Sequence, residues 1–128
     1  MQTNKNPRVL VTHWVHQPVI SYLERHCQLV ANSSRATWDR GKVLEEARHC
    51  DAMMAFMPDS VDDTFLAACP QLKIVAAALK GPDNFDITAC TRRGVWFTLV
   101  PDLLTAPTAD LAMALLLGVT RRILDGDA

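Results

Sequence analysis

The residues best placed to do chemistry stand at one abrupt boundary. Ile74 to Leu79 is an unbroken apolar run, and Lys80 and Gly81 follow it directly, before a Pro82-Asp83-Asn84 turn. The whole stretch from Leu72 to Asp86 reads LKIVAAALKGPDNFD. A buried strand that ends in an ammonium and a glycine amide offers what a small oxyanion needs. The ammonium supplies the opposite charge, and glycine lets the backbone approach a ligand closely. The same lysine could instead run its aliphatic stem out to solvent and bind nothing. What surrounds the ammonium decides between these readings.

Other candidates stand at comparable boundaries. Thr105 and Thr108 flank Pro107, where a long apolar helix is predicted to begin. Free amides at a helix start can receive an anion, and Thr105 also suits ordinary capping. Met57 closes the apolar run DAMMAFM and belongs either to the core or to the wall of a site. His13 and His16 follow the first apolar run; with Asp59 or Asp83 either would make an acid–base pair. Asp83, Asn84 and Asp86 suit side-chain to backbone bonds that stabilise a turn. Cys27, Cys50, Cys69 and Cys90 form no C-x-x-C pair, which argues against zinc and for small apolar fillers in a reducing, cytoplasmic compartment. The five glycines (Gly41, Gly81, Gly94, Gly118 and Gly126) fit no G-x-G-x-x-G and no Walker A motif. No loop in this sequence is built for a nucleotide phosphate.

The elements that must position these residues alternate strand and helix. Predicted strands are Arg8 to Thr12, Gln28 to Ala31, Asp51 to Met57, Leu72 to Leu79 and Val95 to Val100. Helical spacing of apolar residues predicts helices over Pro18 to His26, Gly41 to His49 and Ile87 to Arg93, the last closed by Gly94. A further helix between Ser60 and Pro70 takes Ser60 as its cap, with Asp62 and Asp63 in its first turn. Asn32 to Arg40 is polar and turn-like, and Pro101 to Ala106 reads as a loop. Strands apolar on both faces and alternating with helices imply a flavodoxin-like α/β fold. Its five-stranded parallel sheet would have the order 2-1-3-4-5, with helices on both faces. Ligands of such sheets bind beyond the carboxyl ends of the strands, which here are Thr12 to His16, Met57 to Asp59, Lys80 to Asp83 and Val100 to Thr105. The helix from Pro107 does not suit a small closed domain. From Leu111 to Val119 it is apolar at almost every position, LAMALLLGV, and therefore needs cover on all sides.

Bulk properties agree with one folded domain. The 128 residues are 49% hydrophobic with a net charge of −1, and acids and bases are interspersed. That excludes disorder and argues against nucleic-acid or membrane-surface partners. No apolar run approaches the roughly eighteen residues of a membrane span. The apolar core of MQTNKNPRVLV is too short for a secretory signal.

Taken together, VLVTHWVH, DAMMAFMPDSVD, ALKGPDNFD and ACTRRGVWFTLVPDLLTAPTADLA resemble the phosphite (phosphonate) dehydrogenase branch of the D-2-hydroxyacid dehydrogenase family, from Arg8 to about Gly126. ALKG-x-DNFD and VPDLLT-x-PTA carry the resemblance to that branch. It implies NAD-dependent oxidation of phosphite to phosphate by a two-domain enzyme. Residues 1–106 would form its substrate domain, and residues 107–128 a helix crossing into a Rossmann domain absent from this chain. By motif match, Lys80 and the Gly81 amide would contact the anion, Leu104 and Thr108 would line the pocket, and Met57 would stand on its wall. The family's catalytic Arg, Glu and His would lie beyond Ala128, with the NAD loop, so the chain alone would be inactive. Pro82 departs from the aromatic residue expected after the glycine; it removes an amide and stiffens the turn. A partner chain could replace the Rossmann domain over the long helix. The rival reading is a non-catalytic small-anion-binding or subunit-interaction module derived from such a dehydrogenase. A receiver-like signalling domain fits less well, because the strand ends carry too few acidic residues.

Overall fold

The computed structural model describes residues 6–123. Five strands form one parallel sheet in the order β2-β1-β3-β4-β5: β1 Arg8–Val11, β2 Gln28–Ala31, β3 Ala52–Ala55, β4 Ile74–Ala77 and β5 Trp96–Thr98. Its register pairs Leu10 with Val30 and Met53, Met53 with Val75, and Val75 with Phe97. The α/β class and strand order are those expected from the sequence. The strands are shorter than the apolar runs that announced them, because apolar residues continue into the core after the ladder stops. Leu72 and Leu79 lie outside β4 and are both buried. Beyond the strands, single bonds from Ala78 N to the Ala55 carbonyl and from Val100 N to the Leu79 carbonyl keep the ends aligned.

The helices are α1 Gln17–Glu24, α2 Arg40–Ala47, α3 Asp63–Ala68, α4 Ile87–Arg92 and α5 Thr105–Thr120. Each of the middle three starts on an aspartate whose carboxylate accepts a backbone N–H: Asp39 from Lys42, Asp62 from Phe65, and Asp86 from Ala89. Asp62 therefore takes the capping role expected of Ser60. The Ser60 hydroxyl and carbonyl instead accept from Nη1 of the Arg40 guanidinium, whose Nη2 donates to both Asp62 carboxylate oxygens. Gly94 turns the chain from α4 into β5 at φ 70°, where a side chain would be strained.

The main core lies on one face of the sheet, where Leu10, Met53, Ala55, Val75 and Ala77 meet Val43 and Ala47 of α2, Phe65 and Leu66 of α3, and Ala89 and Cys90 of α4. All four cysteines are buried and unpaired, and burial pushes each thiol up from its ordinary pKa. Helix α1 lies on the other face, over the β2 edge. Beside it Val9, Ala52, Met54, Ala76 and Val100 line an open groove of about 280 Å³.

Helix α5 begins two residues before the predicted Pro107 start, because Pro107 is tolerated in a first turn. Residues 124–128, where the sequence reading extended this helix, lie outside the described residues, as does Gly126. Leu111, Leu115, Leu116 and Val119 are all exposed, Val119 by 77%. The all-round apolar character read from the sequence is thus met by no cover among the described residues. No described helix is long and apolar enough to cross a membrane.

The cap of α3 makes a prediction about acid stability. The Thr64 hydroxyl, the Phe65 amide and the Arg40 guanidinium hold the Asp62 carboxyl at a pKa of about 2, below the ordinary value. A lowered folded value stabilises the fold above the unfolded pKa of about 3.9, and that stability is lost as pH falls through the folded value. Between pH 4 and pH 2 the melting temperature should fall less steeply in Asp62→Asn than in the parent. Asparagine still caps a helix, so the comparison isolates the charge. Solvent screening keeps the effect small, since the side chain is 53% exposed. Parallel melting curves across that range would contradict the assignment.

Candidate functional site at the carboxyl ends of the strands

The chain leaves the carboxyl ends of β1, β3, β4 and β5 in four short segments, and these carry nearly every candidate residue. Their foundation is a buried polar knot. Asp59 is 5% exposed, and its Oδ2 accepts from the Thr12 hydroxyl at 2.5 Å and from the Phe56 amide at 2.7 Å. Thr12 is fully buried at the end of β1. Two donors on one carboxylate oxygen satisfy it and fold residues 56–59 into a tight turn, closed by Asp59 N to the Phe56 carbonyl. His13 Nδ1 lies 3.3 Å from the Thr12 hydroxyl oxygen and 3.9 Å from Asp59 Oδ2. The hydroxyl has one proton, and the short contact to the carboxylate claims it, so Nδ1 is left as the donor to the oxygen. The opposite nitrogen, Nε2, is buried without a partner.

Of the acid–base pairs weighed from the sequence, the structure brings together His13 and Asp59 only. His16 precedes α1 without capping it and packs edge-on against Trp14. Asn32 supports the knot from the side. Its amide nitrogen donates to the Thr12 and Ala36 carbonyls, and its Oδ1 accepts from Ser34, which ties the polar segment after β2 to the end of β1.

Above this knot, the turn after β3 is joined to the turn after β4. Val61 N donates to the Asn84 carbonyl, Asp86 N to the Val61 carbonyl, and Asn84 Nδ2 to the Met57 carbonyl at 2.8 Å. Asp86 makes a side-chain to backbone bond, but as the cap of α4 and not within the turn before it. Asn84 acts differently, bonding across to the neighbouring segment. The Met57 side chain is 68% exposed, so it belongs to the rim and not to the core.

Lys80, in the segment after β4, reaches the segment after β5. Its Nζ donates to the Thr105 hydroxyl at 2.7 Å, at the first residue of α5. The ammonium is exposed but tethered beside the helix start. Thr105 is not the cap considered from the sequence. Leu104 holds the N-cap position, and no side chain caps the helix. An ammonium therefore stands beside an uncapped helix N-terminus, an arrangement of positive potential. Leu104 and Thr108 share this helix start, joined by Thr108 N to the Leu104 carbonyl. Gly81 does not have positive φ. A side-chain carbon added there would lie 3.3 Å from Asp83 Oδ2, so the close approach of that carboxylate favours a residue without one.

Thus Lys80 and Thr105 are in direct contact. Met57 and Gly81 are linked through Asn84 and its turn, and Leu104 and Thr108 follow Thr105 along the chain. The sequence reading missed Asn84 and Asp59 as organisers. The signal for Asn84 was its place in DNFD beside the lysine; for Asp59 there was only a polar residue after a long apolar run. Among the described residues, no group of three His, Cys, Asp or Glu side chains could hold a metal ion.

Comparisons with known proteins bear on the same segments. Residues 9–125 match the model for the D-isomer specific 2-hydroxyacid dehydrogenase catalytic domain. A glyoxylate reductase of Thermococcus litoralis is 39% identical over 122 residues, covering 95% of this chain and 37% of its own length. The glyoxylate reductase of Korarchaeum cryptofilum is 36% identical over 121 residues, covering 94% of this chain and 36% of its own length. The chain thus spans little more than a third of the length of these relatives. Among solved structures, a Thermus thermophilus protein superposes with a TM-score of 0.83 at 30% identity, over 94% of this chain and 39% of its own. An NADPH-dependent glyoxylate/hydroxypyruvate reductase of Sinorhizobium meliloti, in complex with NADP and malonate, superposes with a TM-score of 0.68 at 28% identity, over 89% of this chain and 34% of its own.

Proposed function

The chain belongs to the D-isomer specific 2-hydroxyacid dehydrogenase family, and from that premise we propose that it is the substrate-side part of an NAD-dependent oxidoreductase that oxidises phosphite to phosphate. Residues 1–106 form the substrate domain, and the segment from residue 107 crosses to a nucleotide-binding domain. The observation that carries the site is the Lys80–Thr105 contact. It sets a cation at the strand-end rim beside the start of α5, in place of a lysine trailing in solvent. What supports phosphite over a carboxylate substrate is the pair of stretches around that contact, ALKGPDNFD and VPDLLTAPTA.

In this reading Lys80 neutralises and orients the anion. Its ammonium has three N–H groups; Thr105 takes one and fixes its position, leaving two for substrate oxygens. The Gly81 amide and the Thr108 hydroxyl are further donors, and Met57 and Leu104 form apolar walls that limit water. Hydride acceptance belongs to the nicotinamide, and the acid–base groups belong to the second domain. The exposed α5 supports the same division, since its apolar surface requires a covering domain or partner chain.

A second reading, favoured by the names of the relatives, is reduction of glyoxylate at the same lysine. Either way the purified 128-residue chain, given phosphite and NAD, is expected to produce no NADH above background. Sustained NADH formation by the chain alone contradicts the proposed division. A coding sequence that continues past Ala128 into a strand-G-x-G-x-x-G-helix segment supports it.

A further inference from the structure

Among the residues at the rim, Asn84 has no place in the substrate contacts assigned above, yet it connects the segments that carry them. Three bonds join the turn after β3 to the turn after β4, and Asn84 makes two: its carbonyl accepts from Val61 N at 3.1 Å, and its Nδ2 donates to the Met57 carbonyl at 2.8 Å. The first is a backbone bond that any residue could make. The second requires a side-chain donor at the right reach. The turn it grips is anchored below by Asp59 to Thr12 and Phe56. The turn it belongs to begins at Lys80-Gly81, whose lysine is tethered at its tip to Thr105. The Met57 and Lys80 side chains are both exposed, so packing alone does not fix their separation.

We infer that Asn84 is a positioning residue for anion binding, which sets the distance between the Met57 wall and the Lys80-Gly81 end by clamping the Met57 carbonyl. This rests on the assignment of Lys80 and Met57 to the substrate site. It adds that the spacing of the pocket is set by a cross-turn amide and not by the ligand. The clamp serves any small tetrahedral or planar oxyanion held there, because it acts through the backbone of the wall.

The test is steady-state kinetics of the full-length enzyme with phosphite and NAD, comparing Asn84→Ala and Asn84→Leu with Lys80→Ala. Leucine keeps the branched shape and lacks the donor, without adding charge. Both Asn84 variants should raise KM for phosphite about fivefold, roughly the worth of one hydrogen bond, with kcat and KM for NAD within twofold of the parent. Combining Asn84→Ala with Lys80→Ala should add little to the effect of Lys80→Ala, because both act on one contact. A purely structural role would move the melting temperature but not this split. If Lys80→Ala raises KM while both Asn84 variants leave it unchanged, the positioning role is overturned and the site assignment stands. If all three leave it unchanged, both fall.

Discussion

Replacing Lys80 with alanine in the complete enzyme should raise KM for phosphite at least tenfold and leave KM for NAD nearly unchanged. Lys80 supplies the charge at the carboxyl end of β4, and its contact with the Thr105 hydroxyl holds that charge beside the helix start. In the closed, substrate-loaded site the ammonium would be desolvated against the anion. Losing one partner of such a pair costs about 2–5 kcal/mol, and about 1.4 kcal/mol is already a factor of ten. On the proposed division NAD would be held by groups outside this chain, so its KM should be indifferent to the change. Lys80→Arg should recover only part of the loss, because the planar guanidinium cannot reproduce the compact ammonium beside Thr105. Parent-like KM in Lys80→Ala would mean that the lysine merely extends into solvent.

The largest effect on stability should come from Asp59→Ala. The carboxylate is buried and accepts from the Thr12 hydroxyl and the Phe56 amide. Removing it strands the Phe56 amide and leaves the Thr12 hydroxyl only its longer, 3.3 Å bond to the Met54 carbonyl. An unsatisfied buried donor costs about 1–3 kcal/mol, and a loss of at least that size is expected. That is a large fraction of the roughly 5–15 kcal/mol that holds most domains folded. Urea denaturation of the chain should show a clearly lower midpoint with an unchanged slope, and the turn that carries Met57 should lose order first. Asp59→Asn should cost less, since it keeps one acceptor oxygen. A midpoint within error of the parent for Asp59→Ala would show that water replaces the carboxylate, and that the knot contributes nothing to the rim.

Much of this architecture was legible because parallel strands buried on both faces leave unbroken apolar runs. Arg8 to Thr12 and Leu72 to Leu79 declared themselves in this way, and right-handed crossovers then narrowed the strand order. Element ends were less legible. Ser60 and Asp62 are both good caps, and only the position of Arg40 across the fold decides that Ser60 is drawn away. The start of α5 was misplaced for a local reason, since Pro107 is accepted inside the first turn. At the site, Lys80 stood out by contrast with six apolar neighbours. Its partner Thr105 is 25 residues away, and no local pattern reports a contact of that separation. Asn84 and Asp59 were hidden for a similar reason. Short polar residues after a strand usually serve their own turns, whereas these two reach into neighbouring ones. The helix from Leu111 to Val119 was the clearest signal of all, because apolar residues all round a helix demand cover that the described residues do not provide.

The identity of the anion is decided by a side-by-side assay of the full-length enzyme. Phosphite-dependent reduction of NAD is followed at the absorbance of NADH, against glyoxylate-dependent oxidation of NADH under matched conditions. The expected result is a kcat/KM for phosphite at least a hundredfold above that for glyoxylate, with the phosphite activity sensitive to Lys80→Ala. Efficient glyoxylate reduction without detectable phosphite oxidation would contradict the phosphite assignment.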